Sequence, residues 1–136
     1  MFLDGFFIFK IMIMLHFFQQ RLKSFLPAIQ GLKYLIKGEP NATVHLIATI
    51  VVLILGFVMH LAMLEWVAII FCITSVIGAE ALNSGIEKTV DLVTAEQHPL
   101  AGKAKDLAAA GVLVVSIGAF LVGVLIFGSH ILEMFH

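Results

Sequence analysis

Charge is scarce in this sequence. Only 12% of its 136 residues are Asp, Glu, Lys or Arg, whereas soluble domains carry about 25%. Hydrophobic residues make up 61% of the chain, and the mean hydropathy is +1.10. This composition excludes an ordinary soluble domain and predicts an integral membrane protein. The balance of 8 basic against 9 acidic residues also argues against nucleic acid as a partner.

The sequence has a single cysteine and none of the common nucleotide-binding motifs. Cys72 is the single cysteine, so no intrachain disulfide can form, and its place in an apolar run is typical of a small core residue. Gly102-Lys103 lacks the GxxxxGK[ST] pattern of a P-loop, and no GxGxxG occurs. The sequence therefore supports neither a P-loop nor a Rossmann site.

Long apolar runs predict three membrane spans. Residues 44–64 and 107–127 contain no charged side chain, and at about 1.5 Å per residue each can cross a hydrocarbon core of about 30 Å. Another apolar run begins at Trp66 and continues into polar sequence, so the second predicted span covers 66–91. We expect an all-α integral membrane protein.

The N-terminal part divides into two predicted segments. Residues 21–38 carry apolar side chains at helical spacing with basic residues between them, which predicts an amphipathic helix on a membrane surface. Pro27 implies a kink or a helix start within it. Residues 38–41 end this helix, and Asn41 is the candidate cap of the next one. Residues 1–20 form an apolar extension to which we assign no chemistry.

Basic residues are confined to two stretches of the chain. All eight lie before residue 38 or between 88 and 105, so the positive-inside tendency places both stretches on the cytoplasmic side. Three spans then leave the carboxyl end on the opposite side. Glu39, the polar part of the second span and the loop that leads to Lys105 are therefore expected at one cytoplasmic membrane face.

Four polar residues interrupt the second span on one helical face. Glu80, Asn83, Glu87 and Asp91 fall within an arc of roughly 80° at about 100° per residue, and we call them the polar stripe. Because unpaired carboxylates are costly to bury, the stripe predicts a bound metal or ligand. Together with Glu39 and nearby lysines it offers what phosphoryl transfer needs: oxygen ligands for Mg²⁺, a base, and positive charge for phosphates.

Three interpretations of the polar stripe stay open on the residues alone. One is an enzyme that uses ATP. The alternative is a small ion- or proton-conducting membrane oligomer, because carboxylates inside membranes also build ion pathways. A third is a non-catalytic assembly protein that packs through the glycines of its last span.

Two motifs give the chain a family resemblance. ExxNSxIExxVD begins at Glu80 and AxxAKD begins at Ala101, both within EALNSGIEKTVDLVTAEQHPLAGKAKDLAAAGVL, and GLKYLIKGEPN lies upstream. Over Arg21–Phe127 the chain resembles the small prokaryotic diacylglycerol kinases, which include the undecaprenol kinases. The resemblance implies a homotrimeric lipid kinase of the bacterial inner membrane, with residues 21–136 as its kinase domain and sites shared between subunits. It also implies transfer of the γ-phosphate of MgATP to the primary hydroxyl of diacylglycerol or undecaprenol at the cytoplasmic face.

The resemblance further implies roles for individual residues. Glu80 would be the catalytic base, and Asn83 would orient Glu80 or the lipid hydroxyl. Glu39 and Glu87 would hold Mg²⁺ against the phosphates of the co-substrate ATP. Contacts with the nucleotide are expected from Glu96, His98, Lys105 and Asp106. Asp91 would support the loop or the metal, and Arg21 is the nearest N-terminal candidate for a nucleotide contact.

Overall fold

Four helices make up the described part of the chain. The computed structural model of the protein describes residues 2–94, 96 and 98–134, with side chains described from residue 10 onward. The helices are α1 (Phe2–Gly38), α2 (Pro40–Val58), α3 (Met63–Val93) and α4 (Pro99–Glu133). Among them α2, α3 and α4 are long and apolar enough to cross a membrane. The predicted all-α membrane fold is confirmed.

The chain divides into two compact units, Met1–Tyr34 and Leu35–His136. The first unit is a length of α1 whose described side chains are all exposed, including many large apolar ones. The helix continues through Pro27, so the two predicted N-terminal segments form one helix. Arg21 lies over the Phe17 ring, with its Cζ atom 4.9 Å from the ring centroid, which is a cation–π contact.

The second unit is built on an antiparallel pair of helices. α3 packs along α4, and within the described residues α2 contacts α3 but not α4. Lys105 Nζ lies 2.5 Å from Asp91 Oδ1 at one end of the α3–α4 pair. At the other end His130 Nε2 lies 3.1 Å from Glu65 Oε2. These two polar contacts mark the antiparallel register of the two helices.

The turn between α2 and α3 explains why α2 ends at Val58 although the uncharged run continues to residue 64. The N–H of His60 donates to the Phe57 carbonyl at 3.3 Å, and the N–H of Leu61 donates to the Gly56 carbonyl at 3.1 Å. This is the Schellman pattern. His60 supplies the left-handed residue, with φ of 54°. The turning residue is neither charged nor a proline or glycine, so the predicted span 44–64 extends past the end of α2 at Val58.

Glycine is required at position 56 by the close approach of α3. A Cβ atom there would lie 2.8 Å from Cη2 of Trp66 and 3.1 Å from Cδ1 of Leu61. Trp66 also packs against Phe57, with ring centroids 4.8 Å apart. Trp66 of α3 therefore packs directly against the backbone of α2 at Gly56.

Proline starts two of the helices. Pro40 and Pro99 occupy the first turn of α2 and α4, where the missing N–H costs no hydrogen bond and the fixed φ suits the helix. This places Glu39 and His98 at the N-cap positions. The predicted cap Asn41 is wrong, because it follows Pro40 and lies inside α2.

Candidate active site

The polar stripe meets the start of α2 at one end of the second unit. Glu80 and Asn83 are buried, with 2% and 4% of their surface exposed. The Asn83 amide donates from Nδ2 to Glu87 Oε1 at 3.0 Å, so it contacts Glu87 and not Glu80. Glu39 and Glu87 lie within electrostatic range of the Glu80 carboxylate. The fold therefore brings Glu39 of α2 into electrostatic range of the stripe on α3.

Lys88 joins the polar stripe directly to Glu39. Its Nζ atom lies 2.5 Å from Glu39 Oε1, with 66% of the Lys88 side chain and 17% of the Glu39 side chain exposed. Glu87 and Asp91 also interact electrostatically with this ammonium group. Because exposed ion pairs contribute only about 0–1 kcal/mol to stability, the pair matters chiefly for where it holds Glu39. The sequence analysis did not include Lys88 among the site residues. Its position between Glu87 and Asp91 of the polar stripe could have indicated that it belongs there.

A groove lies where α3 ends and α4 begins. It has a volume of about 530 Å³, and its polar lining residues are Asp91, Thr94, Glu96, His98 and Lys105. Three of the four residues expected to contact the nucleotide therefore line one groove. The fourth, Asp106, is exposed on α4 next to Lys105.

Two of these residues also shape the groove. His98 accepts a hydrogen bond at Nδ1 from the N–H of Leu100 at 3.2 Å and so caps α4. The N–H of Glu96 donates to Thr94 Oγ1 at 3.3 Å. The Lys105 ammonium group donates a hydrogen bond to Asp91 Oδ1 at 2.5 Å within this groove. An ammonium group that lines an open groove is suited to binding an anion such as a phosphate.

The donor atoms near Glu80 fit a magnesium ion that arrives with a nucleotide. Among the described residues no cluster of three or more His, Cys, Asp or Glu side chains is assembled for a metal. Glu39 and Glu87 nevertheless offer carboxylate oxygens, and Asn83 Oδ1 is buried with no hydrogen-bond partner in that part of the chain. Mg²⁺ typically takes one or two protein carboxylates and completes its shell with phosphate oxygens and water.

Comparison with known proteins decides the family. Residues 27–127 match the family described as prokaryotic diacylglycerol kinase. The chain belongs to this family. It is 42% identical over 105 residues to the undecaprenol kinase of Bacillus subtilis (strain 168), a match that covers 77% of this chain and 85% of that protein. The resemblance read from the two motifs is confirmed.

Diacylglycerol kinases of other bacteria are similar as well. The chain is 42% identical over 73 residues to that of Helicobacter pylori, which covers 53% of each protein. It is 30% identical over 102 residues to that of Haemophilus influenzae, covering 74% of this chain and 86% of that protein. Membership of this kinase family confirms the expected lipid kinase class, with ATP as co-substrate. The extension at residues 1–20 lies outside the matched region.

Proposed function

We propose that the enzyme transfers the γ-phosphate of MgATP to the primary hydroxyl of undecaprenol or diacylglycerol at the cytoplasmic face of the bacterial inner membrane. The observation that carries this proposal is the buried carboxylate of Glu80 beside the charges of Glu39 and Glu87. Undecaprenol is the first substrate to test, because the undecaprenol kinase of Bacillus subtilis is similar along most of both chains.

In this proposal Glu80 is the general base. The lipid hydroxyl loses its proton to Glu80 as its oxygen bonds to the γ-phosphorus, and the bond from that phosphorus to the β–γ bridging oxygen breaks to release ADP. A base contributes roughly 10²–10⁴-fold. Alignment of the two reactants and neutralisation of phosphate charge supply the remainder. Asn83 holds Glu87 in place through its 3.0 Å hydrogen bond.

Glu39 and Glu87 would hold Mg²⁺, which neutralises charge on the phosphates when it is bound. The groove beside α4 would bind the nucleotide through Glu96, His98 and Lys105, with Asp106 at its margin. Asp91 keeps Lys105 in position through their ion pair. A homotrimer with sites shared between subunits is part of the proposal and rests on the family resemblance.

The proposal is tested by Glu80→Gln, which removes the base and keeps the side-chain volume. ATP-dependent phosphorylation of undecaprenol and of diacylglycerol, each in mixed micelles with purified enzyme, should fall at least about 100-fold. Glu133→Gln is the matched control, because Glu133 is exposed at the far end of α4. Undiminished turnover by a folded Glu80→Gln variant would refute the assigned base. Ion flux across liposomes without ATP would favour the ion-conducting alternative.

A further inference from the structure

Lys88 lies beside the polar stripe on α3 but is not one of the motif residues. It occupies an open position of ExxNSxIExxVD, directly after Glu87, so the family resemblance assigns it no role. Its ammonium group nevertheless lies 2.5 Å from Oε1 of Glu39, one of the two carboxylates proposed to hold Mg²⁺. A carboxylate that a metal needs is therefore already bound to a cation of the protein itself.

The Glu39 carboxylate is held by Lys88 and not by its own helix. Glu39 is the N-cap residue of α2, a position from which a side-chain oxygen can accept a backbone N–H, but its side chain makes no capping hydrogen bond. Only 17% of that side chain is exposed. A carboxylate shielded from water needs a positive charge or a donor, and Lys88 supplies both.

The Lys88 side chain is able to move away from Glu39. Its exposed fraction is 66%, and a flexible four-carbon stem joins the ammonium group to α3. The ammonium group carries three donors. Because an exposed ion pair contributes little to stability, Lys88 can exchange the Glu39 carboxylate for another acceptor at small cost.

Lys88 stands between the two parts of the proposed site. Glu87 precedes it directly, and Asp91, which lines the groove beside α4, follows it about 4.5 Å further along the helix. Both carboxylates interact electrostatically with its ammonium group. A polyphosphate that extends from this groove to Glu87 has to cover that length of α3, within reach of the lysine side chain.

An ammonium group and a divalent cation repel each other when they share one carboxylate. Coulomb repulsion scales with the product of the charges, so a divalent ion repels the Lys88 ammonium group twice as strongly as a second lysine would at the same distance. A phosphate beside both cations relieves this repulsion, because ammonium groups bind phosphate oxygens well. Lys88 is therefore compatible with a metal on Glu39 when a phosphate is also present.

We propose that Lys88 is an exchangeable counter-ion, which competes with the divalent cation for Glu39 in the empty enzyme and binds a phosphate oxygen of the nucleotide in the loaded enzyme. This inference rests on the proposed function, in which Glu39 is a metal ligand. The exchange makes the site select the metal–nucleotide complex over the free metal ion. Only the complex brings both a cation for Glu39 and an anion for Lys88.

Lys88→Met tests both parts of this inference, because it removes the charge and keeps most of the side-chain length. Binding of Mn²⁺ alone, measured by EPR spectroscopy on purified enzyme in non-ionic detergent without lipid or nucleotide, should become about tenfold tighter. Binding of a non-hydrolysable ATP analogue with Mg²⁺, measured by calorimetry, should become about tenfold weaker. A residue that only supports the fold would not strengthen one ligand and weaken the other.

Three further variants serve as controls. Lys103→Met makes the same change of charge at an exposed lysine near the start of α4 and should leave both dissociation constants within about twofold of the wild type. Lys88→Arg keeps the charge and the ability to bind phosphate, so it should recover most of the affinity for the analogue. In a Glu39→Gln background, Lys88→Met should no longer tighten Mn²⁺ binding, because the competition takes place at Glu39.

The outcomes of these measurements differ in meaning. An affinity of Lys88→Met for Mn²⁺ equal to or below that of the wild type overturns the competition for Glu39, even if the enzyme phosphorylates lipids normally. An unchanged affinity for the analogue overturns the contact with phosphate. Opposite shifts of the two affinities in an enzyme that phosphorylates neither undecaprenol nor diacylglycerol support the role of Lys88 and refute the proposed function.

Discussion

Replacing Asn83 with Asp tests the hydrogen bond within the polar stripe. The change exchanges the amide donor, 3.0 Å from Glu87 Oε1, for an oxygen that cannot donate. A hydrogen bond to a charged group is worth about 1.5–3 kcal/mol. Two unit charges about 4 Å apart repel by about 4 kcal/mol at an effective dielectric constant of about 20. Protonation or movement of one carboxylate relieves part of this, so we expect a net effect of about 3 kcal/mol.

An effect of that size lowers kcat/KM for lipid phosphorylation by about 100-fold. The assay is ATP-dependent phosphorylation in mixed micelles, with resistance to SDS unfolding measured on the same samples. Asn41→Asp is the matched control, because Asn41 is exposed in the first turn of α2, where an acidic side chain is tolerated or favoured. Asn83→Ala removes the donor without adding charge and should fall between the wild type and Asn83→Asp.

The order of the variants is the decisive result. If Asn83→Asp retains more than about a tenth of wild-type activity, the Asn83–Glu87 contact does not position a group that the reaction needs. If Asn83→Ala is as inactive as Asn83→Asp, repulsion between carboxylates adds nothing and the electrostatic part of the reasoning is wrong.

Two further predictions concern stability and are measured by SDS unfolding. Gly56→Ala should be less stable than Gly118→Ala by about 1–3 kcal/mol, because only the methyl group at 56 meets Trp66, at 2.8 Å; equal stabilities would contradict the packing argument. Glu65→Ala should lower stability measurably, because Glu65 accepts the N–H of Ala62, the N-cap residue of α3, at 2.7 Å and also contacts His130 at 3.1 Å. An unchanged resistance to SDS would show that neither contact is maintained in the membrane.

Features that depend on neighbouring residues along the chain were predictable. Charge-free runs identify spans, and the spacing of Glu80, Asn83 and Glu87 places them on one face, because both follow from helix geometry alone. The contact between Lys88 and Glu39 could not be predicted in this way. It joins residues 49 positions apart and depends on how closely α2 packs against α3. The partner of Asn83 likewise required coordinates, since Glu80, Glu87 and the substrate were all within reach of a helical amide.

The unbroken length of α3 ties this enzyme to the bilayer around it. The helix runs from Met63 to Val93, about 46 Å, against about 30 Å of hydrocarbon. Ile69 and Glu80 therefore lie on one continuous helix. The depth of Ile69 in the bilayer determines the distance of Glu80 from the membrane surface. A thicker or thinner bilayer changes the tilt of such a helix, so the lipid composition of the host membrane influences the position of the proposed base.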